Sequence, residues 1–195
     1  ETVRKISRLE QLLRTPYFAR IDFCFEDEEE AEHIYIGRTS LSEGNAGNIY
    51  VYDWRSPIAS VFYRFMTGPA YYEAPAVRME GQVKGKRQYE IKDRKLLYFF
   101  DTDLNISDEI LKQLLSRNTS PRMKAIVETI QRDQDVVIRN MESDLLMIQG
   151  VAGSGKTSIA LHRAAYLMYQ GLQAKLSANN ILILSPNAAF EQYIA

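Results

Sequence analysis

Cysteine occurs once in 195 residues, at Cys24. A single thiol excludes an internal disulfide, and no CxxC pair is present to seed a zinc site. That usage suits a reducing compartment, so a cytoplasmic setting is expected. No apolar run approaches the roughly 18 residues that a membrane span requires, and no membrane partner is expected. Neither charge sign dominates: 24 Lys and Arg face 25 Asp and Glu, for a net charge of −1. Proteins that grip nucleic acid through bulk charge are clearly basic. Any nucleic-acid contact is therefore expected to be local, or to lie outside this segment. Internal repeats, low-complexity linkers and a signal peptide are also missing. The chain starts at Glu1 inside a helical pattern, so both ends are expected to be boundaries within a longer polypeptide.

The remaining composition is that of ordinary globular protein, 46 % apolar and 25 % charged. Residues 1–14 carry Val3, Ile6, Leu9, Leu12 and Leu13 at three- and four-residue spacing, the end of an amphipathic helix. Thr15-Pro16 stops it, because a residue before proline avoids the helical region. The helix is either packed on the next module or the returning strand of a coiled coil. Residues 17–100 read as β-rich. Ala19, Ile21, Phe23 and Phe25 alternate with Arg20, Asp22 and Cys24. Val77, Met79, Gly81 and Val83 alternate with Arg78, Glu80, Gln82 and Lys84, and Tyr89 and Ile91 follow a turn expected at Lys84-Gly85-Lys86. Period-two patterning marks half-buried antiparallel strands. A loop over residues 42–48 precedes a strand over residues 49–52. Most of the 12 tyrosines fit strand faces.

Three features of this region invite a functional reading, and each has a plainer one. Residues 26–32 hold six acids in seven positions, expected to be a solvated hairpin tip. Asp53-Trp54-Arg55-Ser56-Pro57 contains the only Trp, expected to anchor a small core beside a proline-pinned turn. His33 has no His or Cys neighbour in sequence and is taken as structural.

The pattern turns helical from Asp103. Ser107 suits a helix cap before Ile110, Leu111, Leu114 and Leu115. Ser120-Pro121 is a second helix start, ahead of Met123, Ile126, Val127 and Ile130. The expected division is residues 1–14 as the end of a coiled-coil helix, residues 15–105 as a β-rich module, and residues 106–195 as part of an α/β domain.

That last part carries the chemistry. Leu145-Leu146-Met147-Ile148-Gln149 reads as a buried strand. It runs into Gly150-Val151-Ala152-Gly153-Ser154-Gly155-Lys156-Thr157, which satisfies G-x-x-x-x-G-K-[ST]. A helical pattern follows, with Ile159, Leu161, Ala164, Ala165, Leu167 and Met168. A triphosphate concentrates negative charge, so the backbone N–H groups must approach it closely; glycines at 150, 153 and 155 permit that. The positive end of the following helix points the same way. Lys156 suits the β- and γ-phosphates, and Thr157 suits Mg²⁺. At ordinary Gly and Lys usage, a chance match in this length is on the order of 1 %, which favours a genuine phosphate loop.

The loop Gly150-Val-Ala-Gly-Ser-Gly-Lys-Thr157 resembles that of the UvrD/Rep-like superfamily-one helicases. Gln134 stands sixteen positions before Gly150, the spacing of the glutamine that reads adenine in that family; an amide suits adenine N6 and N7. Gln131 is a weaker neighbour with the same chemistry. Residues 181–184, Ile-Leu-Ile-Leu, read as a second buried strand, followed by Ser185-Pro186-Asn187. This is similar to helicase motif Ia, which implies nucleic-acid contact by Ser185 and Asn187. Only Asn187 fits that motif well, and Ser158 stands where a base-stacking Arg often follows the loop threonine. His162-Arg163 matches a pair found in some of these helicases.

Tyr35-Ile36-Gly37-Arg38-Thr39 and Tyr52-Asp53-Trp54-Arg55-Ser56-Pro57, placed before the loop, resemble the HelD-type proteins of Gram-positive bacteria. So does the stretch from Gly150 through Ala160-Leu161-His162-Arg163. The resemblance covers essentially the whole chain. It implies an N-terminal helix at the base of a coiled-coil arm, a small antiparallel β module, and the first part of a RecA-like P-loop NTPase domain. It further implies an ATP hydrolase using ATP and Mg²⁺, with RNA polymerase as the partner that it releases and recycles. Lys156 and Thr157 would act on the phosphates and the metal, with residues 150–158, Gln131 and Gln134 around the nucleotide. Two other readings share the site: a helicase translocating on single-stranded DNA, and a nucleotide-gated interaction protein with no motor activity. The Walker B carboxylates and arginine finger are expected elsewhere, so this chain alone is expected to be inactive in turnover. It is expected to self-associate or to need the rest of its polypeptide.

Overall fold

The computed structural model describes residues 9–10, 12–43, 48–102, 132–151, 153–171 and 178–184. The helices expected over residues 107–115 and from Ser120 onward lie outside them, as do Val3 and Ile6. The described residues fall in two compact units, residues 1–136 and 137–195. The boundary expected near residue 105 sits in a stretch outside the description.

In the first unit, residues 9–10 and 12–14 are helical, and the chain has left the helix at Thr15 and Pro16. Seven strands follow: β1 (Ala19–Phe25), β2 (Glu32–Gly37), β3 (Leu41–Ser42), β4 (Ile49–Asp53), β5 (Gly68–Glu73), β6 (Arg78–Lys92) and β7 (Lys95–Asp101). They form one sheet in the order β3-β4-β2-β1-β6-β5, with β7 also on β6. The sheet is mixed, not purely antiparallel: β2 and β4 run parallel through Ile36–Tyr52 and Gly37–Asp53 pairs. Between them in sequence lies the short strand β3, which pairs antiparallel with β4.

The alternation of β1 sorts its side chains by face. Ala19, Ile21 and Phe23 are fully buried, as are Ile36 of β2 and Val83 of β6. A short helix, α1 (Ser60–Arg64), packs on this face against β1 and β5. Val61, Phe62, Ile58 and Trp54 fill the layer. Burying each large apolar side chain contributes about 2 kcal/mol. Lys86 shares the inner face, opposite Ile21. Its ammonium donates to Phe65 O at 2.8 Å and lies 4.9 Å from the Phe62 ring centre, which satisfies a buried cation. The outer face carries Arg20 and Asp22, hydrogen-bonded to each other at 2.9 Å. It also holds a run of rings, with Tyr17 centred 4.7 Å from Tyr35 and 5.1 Å from Tyr89. Burial raises the Tyr17 and Tyr89 hydroxyls above their usual pKa.

One local expectation gives way. The turn expected at Lys84-Gly85-Lys86 does not exist, because β6 continues through it for fifteen residues. Lys84 is an extra residue in the ladder with β1, where pairing passes from Asp22–Gly85 to Phe23–Val83. A bulge absorbs the irregularity without ending the strand. The chain reverses instead at Asp93 and Arg94, with φ of 48° and 70°, the positive values a two-residue hairpin demands. His33, taken as structural, stands at the surface. Its side chain is 58 % exposed, and Nδ1 meets Asp22 Oδ1 at 2.7 Å.

Asp53 and Trp54 close the β4 end. Asp53, 3 % exposed, accepts from Arg55 through both carboxylate oxygens at 2.8 and 2.6 Å and from the Arg55 backbone N–H. Pro57 O accepts from Ser60 Oγ at 2.7 Å at the entrance to α1.

Candidate functional site

The second unit is built around helix α3 (Lys156–Gln170). Ile159, His162 and Tyr166 form its buried stripe. Its first residue is Lys156, and the residue before it, Gly155, is left-handed with φ 81° and ψ 14°. Gly153 has the same φ of 81°. Both positions strain any residue with a Cβ. A Cβ on Gly150 would lie 2.6 Å from Ser154 Oγ, so the third loop glycine is held by close approach, not by its φ. The loop tightens through Ser154 N–H donating to Val151 O at 3.2 Å, and the helix opens with Ile159 N–H to Gly155 O at 2.9 Å.

The Lys156 side chain turns back into this loop. Its ammonium donates to Gly150 O at 2.7 Å and Val151 O at 2.6 Å, with Ser154 Oγ at 3.5 Å. These acceptors hold the cation beside the unpaired N–H groups at the start of α3, where the helix dipole is positive. The loop thus presents a cation beside the positive end of a helix, a combination that suits an anionic group. Thr157 follows in the first helical turn, half-buried with Ser158.

One turn on, Ser158 O accepts from His162 Nδ1 at 2.6 Å, and Ser158 Oγ lies 3.4 Å from the same nitrogen. Burial lowers the His162 pKa below the ordinary histidine value, and the bond to Ser158 only partly opposes it. Arg163 caps the helix α2 (Arg132–Arg139), its Nη1 donating to Val137 O at 3.0 Å and to Asn140 O. The His162-Arg163 pair thus shapes the loop's own helix and its support. The carbonyl-capping role had no sequence signal beyond the pair itself.

Gln134 lies on α2, half-buried, within the first compact unit, while the loop belongs to the second. Its neighbour Asp135 is fully buried and accepts from Arg64 Nε of α1 at 2.6 Å. Asp135 carries little signal in the sequence beyond its place next to Val136, Val137 and Ile138. Gln131, Ala152, Ser185 and Asn187 lie outside the described residues.

The strands expected on either side of the α3 region are not formed. Residues 145–149 and 181–184 have no strand partner among the described residues, and a strand exists only as one of a pair. Leu145 and Met147 are 86 % and 87 % exposed, and Leu182 and Leu184 are 81 % and 85 % exposed. No helix among the described residues is long and apolar enough to cross a membrane. Nor do three His, Cys, Asp or Glu side chains converge there to hold a metal.

Over residues 1–117 the chain matches the family described as DNA helicase IV HelD, N-terminal domain. The chain belongs to this family. HelD membership makes it part of a helicase-type protein. The matched stretch takes in the whole seven-stranded sheet and ends before the glycine loop. Among curated proteins none matches the chain.

Proposed function

We propose that this HelD-family chain is the MgATP-binding part of an ATP-dependent motor that acts on RNA polymerase complexes to release and recycle them. The observation that carries the nucleotide reading is the Lys156 ammonium held inside a glycine loop at the start of α3. MgATP would supply the phosphoanhydride bond and a metal charge beside its phosphates. Lys156, which here donates to the Gly150 and Val151 carbonyls, would neutralise phosphate oxygens. The loop N–H groups of residues 150–158 wrap the same oxygens. Thr157 would hold Mg²⁺ through its hydroxyl. The Gln134 amide selects adenine, with Gln131 beside it in sequence.

The family's description as a DNA helicase favours a second reading, translocation on single-stranded DNA with Ser185 and Asn187 on the strand. Steady-state ATP hydrolysis by the full-length protein separates the two. Greater stimulation by RNA polymerase supports the first, and greater stimulation by single-stranded DNA alone replaces it with the second.

A further inference from the structure

The sheet-bearing unit holds a feature that the nucleotide site does not use. An open groove of about 680 Å³ crosses the ends of β1, β5 and β6. Its apolar floor includes Phe65, Pro69 and Tyr71, with the Phe65 and Tyr71 ring centres 5.2 Å apart. That volume lies in the range of sites that take a ligand or a short peptide stretch. Its rim is acidic: Glu26, Glu28, Glu29 and Glu80 line it, against the single ammonium of Lys84. None of the four carboxylates forms an ion pair among the described residues. The rim is fixed in place. Glu26 N–H donates to Glu80 O at 3.2 Å, Glu28 N–H to Phe25 O at 3.1 Å, and Cys24 Sγ to Glu28 O at 3.1 Å.

We propose that this groove docks a basic segment of a partner protein, one that places an aliphatic or aromatic side chain between Lys or Arg residues. The apolar side chain would cover Phe65 and Tyr71, and its cationic neighbours would meet the unpaired carboxylates. The Tyr71 ring already accepts a guanidinium in this geometry: Arg78 Cζ lies 4.2 Å from its centre while Glu73 neutralises Arg78 at 2.7 Å. The same carboxylates repel phosphate, which sets nucleic acid aside as the occupant. The site lies wholly in the sheet-bearing unit, so it stands whether or not the nucleotide reading holds.

The test is fluorescence anisotropy of the full chain with a labelled peptide that alternates Lys or Arg with Leu or Phe. A control peptide has the same charge, with Ser at the apolar positions. The proposal expects the apolar peptide to bind about tenfold more tightly than the Ser peptide. It expects Tyr71→Ala to remove that difference, and the combined Glu28→Gln, Glu29→Gln, Glu80→Gln variant to weaken binding about tenfold. All these positions are exposed, and unchanged near-UV circular dichroism checks that the variants fold. Equal affinity for the two peptides overturns the proposal, as does indifference to the substitutions. Groove-dependent self-association in sedimentation, lost in the same variants, would make the occupant a second copy and overturn it as well.

Discussion

At Lys156 the chemistry rests on one amine and two carbonyls. Removing the amine empties the loop of its cation without touching the buried stripe of α3. Lys156→Ala is therefore expected to leave the melting temperature of the chain within about 2 °C. ATP binding by the full-length protein is expected to weaken at least about tenfold, read by titration with a fluorescent ATP analogue. Asp135 behaves in the opposite way. Its carboxylate is fully buried against Arg64, so Asp135→Ala leaves a guanidinium unpaired. A loss of about 3 kcal/mol is expected in urea unfolding. The double variant Asp135→Leu, Arg64→Met should recover most of it, because paired apolar side chains incur no desolvation penalty. His162 gives the chain a pH dependence. Its folded pKa is below the ordinary value because burial disfavours the charged ring. The unfolded state thus binds more protons between the two values. Stability is full above the ordinary histidine pKa and falls as pH drops through it toward the folded value. Melting between pH 7.5 and 5.5 should show that fall, and His162→Gln should flatten it.

At the scale of elements, what could be read from the residues was period and punctuation. The alternation of Ala19, Ile21 and Phe23 places the buried face of β1. Thr15-Pro16 marks where helical backbone ends. The strand after the residue 42–48 loop falls at Ile49–Asp53. Lys84-Gly85-Lys86 misled because a glycine between two lysines has the composition of a turn. Only the pairing of Gly85 with Asp22 shows that it is mid-strand. The true reversal at Asp93 and Arg94 uses residues that pay a steric cost at positive φ. Arg94→Gly is expected to stabilise the hairpin by about 1 kcal/mol, read as a higher urea midpoint; an unchanged or lower midpoint would show that the Arg94 side chain contributes more than the strain it carries. Of the candidate site, the glycine loop and the helix start were legible because their residue types are fixed by backbone geometry. The buried Arg64–Asp135 pair was not, since the partners are 71 positions apart and nothing local links them. Residues 145–149 and 181–184 read as strands because apolar runs do, yet pairing depends on partners that a local pattern cannot supply.

For the whole molecule, those same two runs have a consequence. Leu145, Met147, Leu182 and Leu184 are each more than 80 % exposed, and apolar surface of that kind binds apolar probes or a covering surface. The chain is expected to enhance ANS fluorescence and to sediment above its monomer mass of 22.4 kDa. A monodisperse, ANS-silent monomer would show that these residues are covered. The proposed motor would run on MgATP held at this loop. Its most direct test is steady-state ATP hydrolysis by the full-length protein, with and without RNA polymerase, beside Lys156→Ala. The expected result is Mg²⁺-dependent turnover that polymerase stimulates and that Lys156→Ala abolishes. Turnover that survives Lys156→Ala unchanged would contradict it.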